Sequence, residues 1–158
     1  MGLKAKNGNA FLKERVREIK ARVDLAIFNR LTKIGEELVN YARSVPPETG
    51  FSDHTGNLRS SIGYVIVEDG SVVREDFVTV VGSEPKHVEG KTVGKNYALE
   101  LSKHHTKGYA LIFVAGMDYA FAVESRGRDV LTSTEYQAQI KLPQELQKLK
   151  EQIKLMKV

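Results

Sequence analysis

The sequence predicts an α+β fold in which a long N-terminal helix and a C-terminal helix pack on one face of an antiparallel sheet of about four strands. Three observations predict it. Apolar residues recur every three or four positions from about Phe11 to Val45, which is the period of one face of a helix. Asp69-Gly70, a strong hairpin signal, separates two β-branched runs. A second helical pattern runs from Leu142 to Met156.

The N-terminal pattern predicts one helix of about 30 residues, near 45 Å in length. Pro46-Pro47 ends it, because proline lacks an amide donor and disfavours helical geometry in the residue before it. Such a helix exceeds what a small core needs, so part of its apolar stripe is expected to lie between subunits. The candidate subunit-interface residues are Ile27, Leu31 and Ile34.

After a loop at 46–56, residues 55–62 are typical of a capped helical turn, with Thr55 or Asp53 accepting the free amides at its start. Residues 64–67 are predicted to form a strand, and 72–81 to contain the strand that returns after the hairpin turn. These elements form the first half of the predicted sheet.

Residues 82–108 contain four glycines and many charges, which indicates a long, mobile excursion with a short helix around 97–101. A buried strand is predicted at 109–115. For residues 119–123 the pattern leaves an extended segment and a short helix equally open.

The remaining predictions concern the two ends of the chain. Residues 133–158 are expected to form a C-terminal helical region, with Pro143 in the first turn of its helix. Residues 1–10 are expected to be flexible. The whole chain, 1–158, is predicted to be a single domain, because its length suits one modest core.

Composition limits the possible functions. The absence of cysteine excludes a disulfide framework, a thiol nucleophile and a thiolate metal site. No apolar run is long enough to span a bilayer, so we expect a cytoplasmic protein without membrane contact. The net charge of +4 is unevenly distributed, since residues 1–33 carry +6 and residues 34–140 carry −5. This asymmetry fits solvated helices, nucleic-acid contact, or head-to-tail stacking of subunits.

The motif search favours a non-enzymatic protein. Gly90-Lys91-Thr92 resembles the end of a phosphate-binding loop, but Pro85 occupies the place of its first glycine. The histidines, at 54, 87, 104 and 105, lack the spacing of a helical ligand pair. We therefore predict no catalytic residue, no metal site and no cofactor.

Two segments together resemble the tail-component family of long-tailed bacteriophages, also described as neck or tail-completion proteins. Thr-Gly-Asn-Leu-Arg-Ser-Ser-Ile at 55–62 is similar to the family pattern Thr-Gly-x-Leu-Arg-x-Ser-Ile, and Tyr-Ala-Phe-Ala-Val-Glu at 119–124 to Tyr-Ala-x-x-Val-Glu. The matching residues are Thr55, Gly56, Leu58, Arg59, Ser61, Ile62, Tyr119, Ala120, Val123 and Glu124. Residues 125–132 depart from the family pattern.

The resemblance implies a structural protein of the phage head–tail neck, forming a homo-oligomeric ring between connector and tail tube. DNA would only pass through the lumen of that ring, and the protein would end in the virion neck or tail. The motif residues would serve the fold, with Arg59 pairing with a carboxylate and Glu124 pairing with either Arg59 or an exposed helix amide. The alternative is a small nucleic-acid-binding or regulatory protein that uses its basic helices.

Overall fold

The structure, a computed structural model, describes residues 8–85 and 88–156. In chain order the elements are α1 Gly8–Ser44, α2 Asn57–Ser61, β1 Ile62–Glu68, β2 Ser71–Asp76, α3 Gly90–Ser102, β3 Tyr109–Ala115, α4 Ala120–Ser125 and α5 Thr132–Leu155. The α+β class, the long N-terminal helix and the C-terminal helix are confirmed. The sheet has three strands among the described residues, where about four were expected.

Helix α1 is the longest element, at 37 residues or about 55 Å. It ends at Ser44, just before the two prolines that were predicted to stop it. The expected flexible N-terminus lies outside the described residues up to position 7, and residues 8–10 already belong to the helix. Helix α1 is therefore more than twice as long as the seven-residue strand β1, which spans about 23 Å.

The hairpin prediction is confirmed. Asp69 and Gly70 both have positive φ, 46° and 83°, as a two-residue turn of the primed type requires. The sheet order is β2-β1-β3 with both neighbours antiparallel to β1. Strand β3 forms one edge of the sheet, contains no charged residue or proline, and has no strand partner on its outer side among the described residues.

Central strand β1 is buried from Ile62 to Val67 because helices cover both faces of the sheet. Tyr64 and Ile66 pack against Val39 of α1. On the opposite face, Val65 and Val67 pack in a cluster with Ala98 of α3. The expectation that the helices lie on a single face is therefore wrong, because it omitted α3.

Helix α3 occupies about half of the excursion predicted at 82–108, and it is 13 residues long where a short helix around 97–101 was expected. Gly90 and Gly94 suggested a loop, but they begin a buried stripe of small residues that recurs every four positions through Ala98 and Ser102. A Cβ on Gly94 would lie only 2.2 Å from the carbonyl oxygen of Ser61, so glycine lets α3 press against α2. Residues 86 and 87 of this segment lie outside the described residues.

Two predictions for the C-terminal part of the chain can be compared with the structure. Residues 120–125 form a short helix, α4, which resolves the choice left open for 119–123. Helix α5 starts at Thr132, so Pro143 lies inside it and not in its first turn as expected. Residues 157 and 158 of the expected C-terminal helical region lie outside the described residues.

Helix α5 runs antiparallel along α1. Lys141 contacts Glu37 near one end of the contact, and Gln152 accepts a hydrogen bond from Arg30 near the other. Between them lies the buried Glu145, which accepts hydrogen bonds from Lys148 and Arg30. These two bonds lower the pKa of Glu145 to about 2, so its carboxylate stays ionised and links the helices.

Candidate functional site

The segment at 55–62 folds into a helical turn, α2, that Asp53 caps. The carboxylate of Asp53 accepts hydrogen bonds from the amides of Leu58, at 3.3 Å, and Arg59, at 2.6 Å. Thr55 Oγ1 accepts a hydrogen bond from the amide of Asn57 at 3.3 Å. Both cap candidates therefore contribute, and Asp53 satisfies the amides that the short helix itself leaves free.

Gly56 allows the chain after β2 to pass directly over this turn. Its φ is +74°, and a Cβ there would lie 2.2 Å from the carbonyl oxygen of Val80. The buried Ser60 completes the contact, since its hydroxyl donates to the carbonyl of Gly56 at 2.6 Å and accepts from the amide of Val80 at 2.7 Å. Gly56 thus serves a left-handed turn and a close backbone approach together.

The two family-like segments meet in one cluster, which we call the motif junction and define as residues 55–62 and 119–124. Leu58 and Ile62 share a buried core cluster with Ala120, and Val123 packs against it. Ser61 adds polar contacts to the turn before α4, because its hydroxyl accepts a hydrogen bond from the amide of Met117 at 3.3 Å. Residues far apart in sequence therefore form one structural unit.

Arg59 bonds to backbone carbonyls and an aromatic ring. Its guanidinium lies 4.6 Å from the ring centroid of Phe51 and donates to the carbonyls of Arg43 and Phe51, each at 3.4 Å. In return Arg43 donates to the carbonyl of Arg59 at 3.2 Å. The expectation that Arg59 pairs with a carboxylate is wrong among the described residues, because α1 presents a carbonyl and an arginine at this position.

Of the two partners predicted for Glu124, the structure shows the second, the exposed amides of a helix. One carboxylate oxygen accepts hydrogen bonds from the amides of Leu131, at 3.0 Å, and Thr132, at 2.7 Å, and from the Thr132 hydroxyl, at 2.6 Å. Burial pushes the pKa of Glu124 upward, but these hydrogen bonds outweigh it and the pKa is lowered. Glu124 is therefore an anionic cap for α5.

Tyr119 is more exposed, at 38%, than the core residues of the junction. It precedes α4, and its carbonyl accepts a hydrogen bond from the amide of Val123 at 3.0 Å. Burial of part of the ring, with the charges of Asp53 and Asp118, raises the pKa of its hydroxyl. The phenol is accordingly neutral at physiological pH.

The candidate metal-ligand and phosphate-loop residues do not converge on one site within the described residues. Within residues 8–85 and 88–156, no three histidine, cysteine, aspartate or glutamate side chains are grouped as metal ligands. His104 and His105 are exposed, His54 faces Glu84 with 3.8 Å between nitrogen and oxygen, and His87 lies outside the described residues. The amide of Gly90, in the phosphate-loop-like segment, donates to Asn57 Oδ1 at 3.2 Å and is already occupied.

The candidate subunit-interface residues divide into core and partly exposed positions. Ile34 is only 3% exposed, so it belongs to the interior of the chain and is not a surface residue. Leu31 is half-buried beside the Tyr64 cluster, and Ile27 is half-buried too. The sheet and α5 cover this part of the apolar stripe, which leaves the larger exposed apolar side chains of α1 nearer its N-terminus.

Sequence reasoning missed Asn57 and Ser60, which bind α3 and the chain after β2 to the junction. For Ser60 a local signal existed in the sequence. Its position four residues after Gly56, where a helical serine reaches a backbone carbonyl, was the available signal.

No helix in the described part of the chain is long and apolar enough to cross a membrane. In comparisons with known proteins, no family model, curated protein or solved structure matches this chain.

Proposed function

We propose that this chain is a non-enzymatic structural subunit of the head–tail neck of a long-tailed bacteriophage, acting in tail completion. It assembles as a ring between the connector and the tail tube. Its partners are further copies of itself and those two complexes, and DNA meets it only in the ring lumen. The protein works in the host cytoplasm during assembly and afterwards in the virion neck.

The observation that carries the proposal is the motif junction. The two segments that resemble the neck family meet in one cluster, where Leu58 and Ile62 pack against Ala120. A resemblance by chance in two short stretches gives no reason for them to meet. Their meeting supports a common structural role for both segments.

The roles of the polar residues support a structural function over a catalytic one. Asp53 and Glu124 both accept several hydrogen bonds from helix amides, and Arg59 is held by carbonyls and a ring. A general acid or base must exchange a proton with a substrate near neutral pH. A glutamate with a lowered pKa, engaged as a helix cap, is poorly suited to that task.

The charges of α1 do not favour the nucleic-acid-binding alternative. Arg15 pairs with Glu18 at 3.3 Å and Lys20 with Asp24 at 3.2 Å, so acids three or four residues away offset part of the basic charge. Duplex affinity that falls steeply with salt would favour the alternative, because counterion release scales with the phosphates contacted.

The test is deletion of this coding sequence from the genome that carries it, followed by electron microscopy of the particles. We expect filled heads and separate tails, with joined virions restored when the wild-type chain is supplied in trans. Joined, infectious virions from the deletion strain would overturn the proposal.

A further inference from the structure

The first half of α1 has little cover within the described chain. Residues 9–18 are exposed throughout, whereas Ile19, Val23 and Asp24 are half-buried, with Asp24 beside Tyr109 of β3. Every buried residue of α1 lies at or after Ala26. Before it, Phe11, Leu12 and Val16 are 71%, 60% and 65% exposed. We call residues 8–25 the protruding helix. An isolated helix of this length is marginal in water, so an apolar stripe on it is expected to meet a partner.

The stripe on the protruding helix has the spacing of a docking helix. Leu12, Val16, Ile19 and Val23 follow one another at intervals of four, three and four residues, which places them on one face. Helix α5 ends at Leu155, and its Gln152 contacts α1 at Arg30. The antiparallel helix therefore stops short of most of the stripe.

An apolar groove lies elsewhere on the same chain, between α1, β3 and α5, with a volume of about 530 Å³. Its apolar lining comprises Leu31, Leu38, Leu111, Phe113, Leu131, Ala138, Leu142 and Leu146. Helix α5 packs on α1 but stands away from the sheet, which leaves this space open. The buried hydroxyl of Thr134, also in its wall, has no hydrogen-bond partner among the described residues.

The protruding helix cannot reach the groove of its own chain. Val16 and the groove residue Leu31 belong to one continuous helix, fifteen residues or about 22 Å apart. A helix does not fold back on itself over that distance without a break, and α1 is continuous from Gly8 to Ser44. An occupant of the groove must therefore come from another molecule.

We propose that the protruding helix of one copy docks its apolar stripe into the groove of the next copy. The proposal rests on the ring assembly of the proposed function and identifies its contact. Each copy supplies this stripe and this groove once, so the two surfaces are matched in number within any assembly. The contact is heterologous, and repetition of a heterologous contact closes into a ring when its rotation permits.

Charge favours a second copy over a foreign helix. Residues 1–33 carry a net charge of +6, and residues 34–140, which supply seven of the ten groove residues, carry −5. Residues 141–158, which supply Leu142 and Leu146, carry +3. Glu135 stands exposed in the groove lining, and Lys13, which flanks the stripe, has no ion pair within the described residues, unlike Arg15 and Arg17. Opposite charges steer the two surfaces together and disfavour a reversed approach.

Cysteine cross-linking tests the contact, because the chain contains no cysteine of its own. Two singly substituted proteins, Val16→Cys in the stripe and Ala138→Cys in the groove, are mixed at the highest soluble concentration and treated with a short bis-maleimide. We expect a mixed dimer, identified by mass spectrometry as a 16–138 link. Glu14→Cys is the matched control, since it lies two residues away on the opposite face of the helix and should link much less.

Three outcomes would overturn the proposal. A predominant 16–16 link would indicate that protruding helices pair with each other. Equal linking of Glu14→Cys and Val16→Cys would indicate random encounter. Absence of the 16–138 link, with capture of Val16→Cys only on purified connector, would assign the stripe to the connector.

A second measurement uses variants that should leave the fold intact. Leu12→Asp and Val16→Asp alter exposed side chains, so circular dichroism should be unchanged while self-association, measured by sedimentation, weakens about tenfold or more. Unchanged self-association would overturn the docking. The neck function is judged separately by the deletion phenotype, so linked copies with a normal deletion strain would refute only the neck assignment.

Discussion

Replacement of Glu124 should loosen the start of α5. In the Glu124→Gln variant the carboxylate becomes a neutral amide of nearly the same shape, so one acceptor remains but the charge at the helix N-terminus is lost. Charge-assisted hydrogen bonds contribute about 1.5–3 kcal/mol and neutral ones about 1 kcal/mol. Three donors converge on one oxygen of Glu124, two from amides and one from the Thr132 hydroxyl.

We expect a loss of about 1 kcal/mol in the free energy of unfolding for Glu124→Gln, and about 2 kcal/mol for Glu124→Ala, which also removes the acceptor. For a chain of 158 residues, the alanine variant should lower Tm by about 4–8 °C. Urea unfolding provides the free energy. Glu48→Gln is the matched control, because the exposed Glu48 carboxylate has no hydrogen bond or ion pair within the described residues.

The pH dependence provides a stricter check. Folding lowers the pKa of Glu124 below its ordinary value of 4.5, so the stabilisation is present above that value and is lost as pH falls through the folded pKa. The difference between wild type and Glu124→Gln should therefore shrink below about pH 4.5. An equal free energy of unfolding for both proteins at pH 7, or a difference that persists in acid, would refute the assignment of Glu124 as an anionic cap.

Three further predictions address other contacts. Gly94→Ala should lower the free energy of unfolding, measured in urea, by about 2 kcal/mol, because the new Cβ would lie 2.2 Å from the Ser61 carbonyl oxygen. An unchanged value would mean that α3 packs against α2 more loosely than the structure shows. Glu145→Gln should lower Tm at neutral pH, and the difference should vanish as pH falls from 4.5 towards 2, since folding lowers the pKa of Glu145 to about 2 and the ionised form holds Arg30. Hydrogen exchange should be slow across residues 90–102, because they form helix α3. Rapid exchange there would instead support the mobile excursion that the sequence predicted.

Short-range sequence signals predicted the elements whose structure depends on interactions within a few residues. The stripe from Phe11 to Val45 and the paired prolines located α1, because periodicity and a missing amide act within a few residues. Asp69-Gly70 located the hairpin for the same reason. The first half of α3 was missed because glycine at Gly90 and Gly94 opposes helix formation locally, and only the packing against α2 compensates for it.

The motif junction could be predicted in part. The turn at 55–62 and its caps followed from residue types alone. The partners of Arg59 could not be predicted, because Arg43 and Phe51 approach it through tertiary packing. The two options for Glu124 remained open for a related reason, since the choice depends on where α5 begins, and α5 begins ten residues before Leu142, the start of its clearest periodic signal.

The outer edge of β3, which has no strand partner among the described residues, makes the protein prone to aggregate when it is partly unfolded. Edge strands are usually blunted by charge, proline or a bulge. Strand β2 carries Arg74, Glu75 and Asp76, and a bulge interrupts its pairing with β1. Strand β3, Tyr-Ala-Leu-Ile-Phe-Val-Ala, carries none of these devices and has the composition of an amyloid-prone segment. Partial unfolding during overproduction should therefore lead to inclusion bodies ordered around β3, and a lysine placed at the half-buried Ala110 should increase the soluble yield.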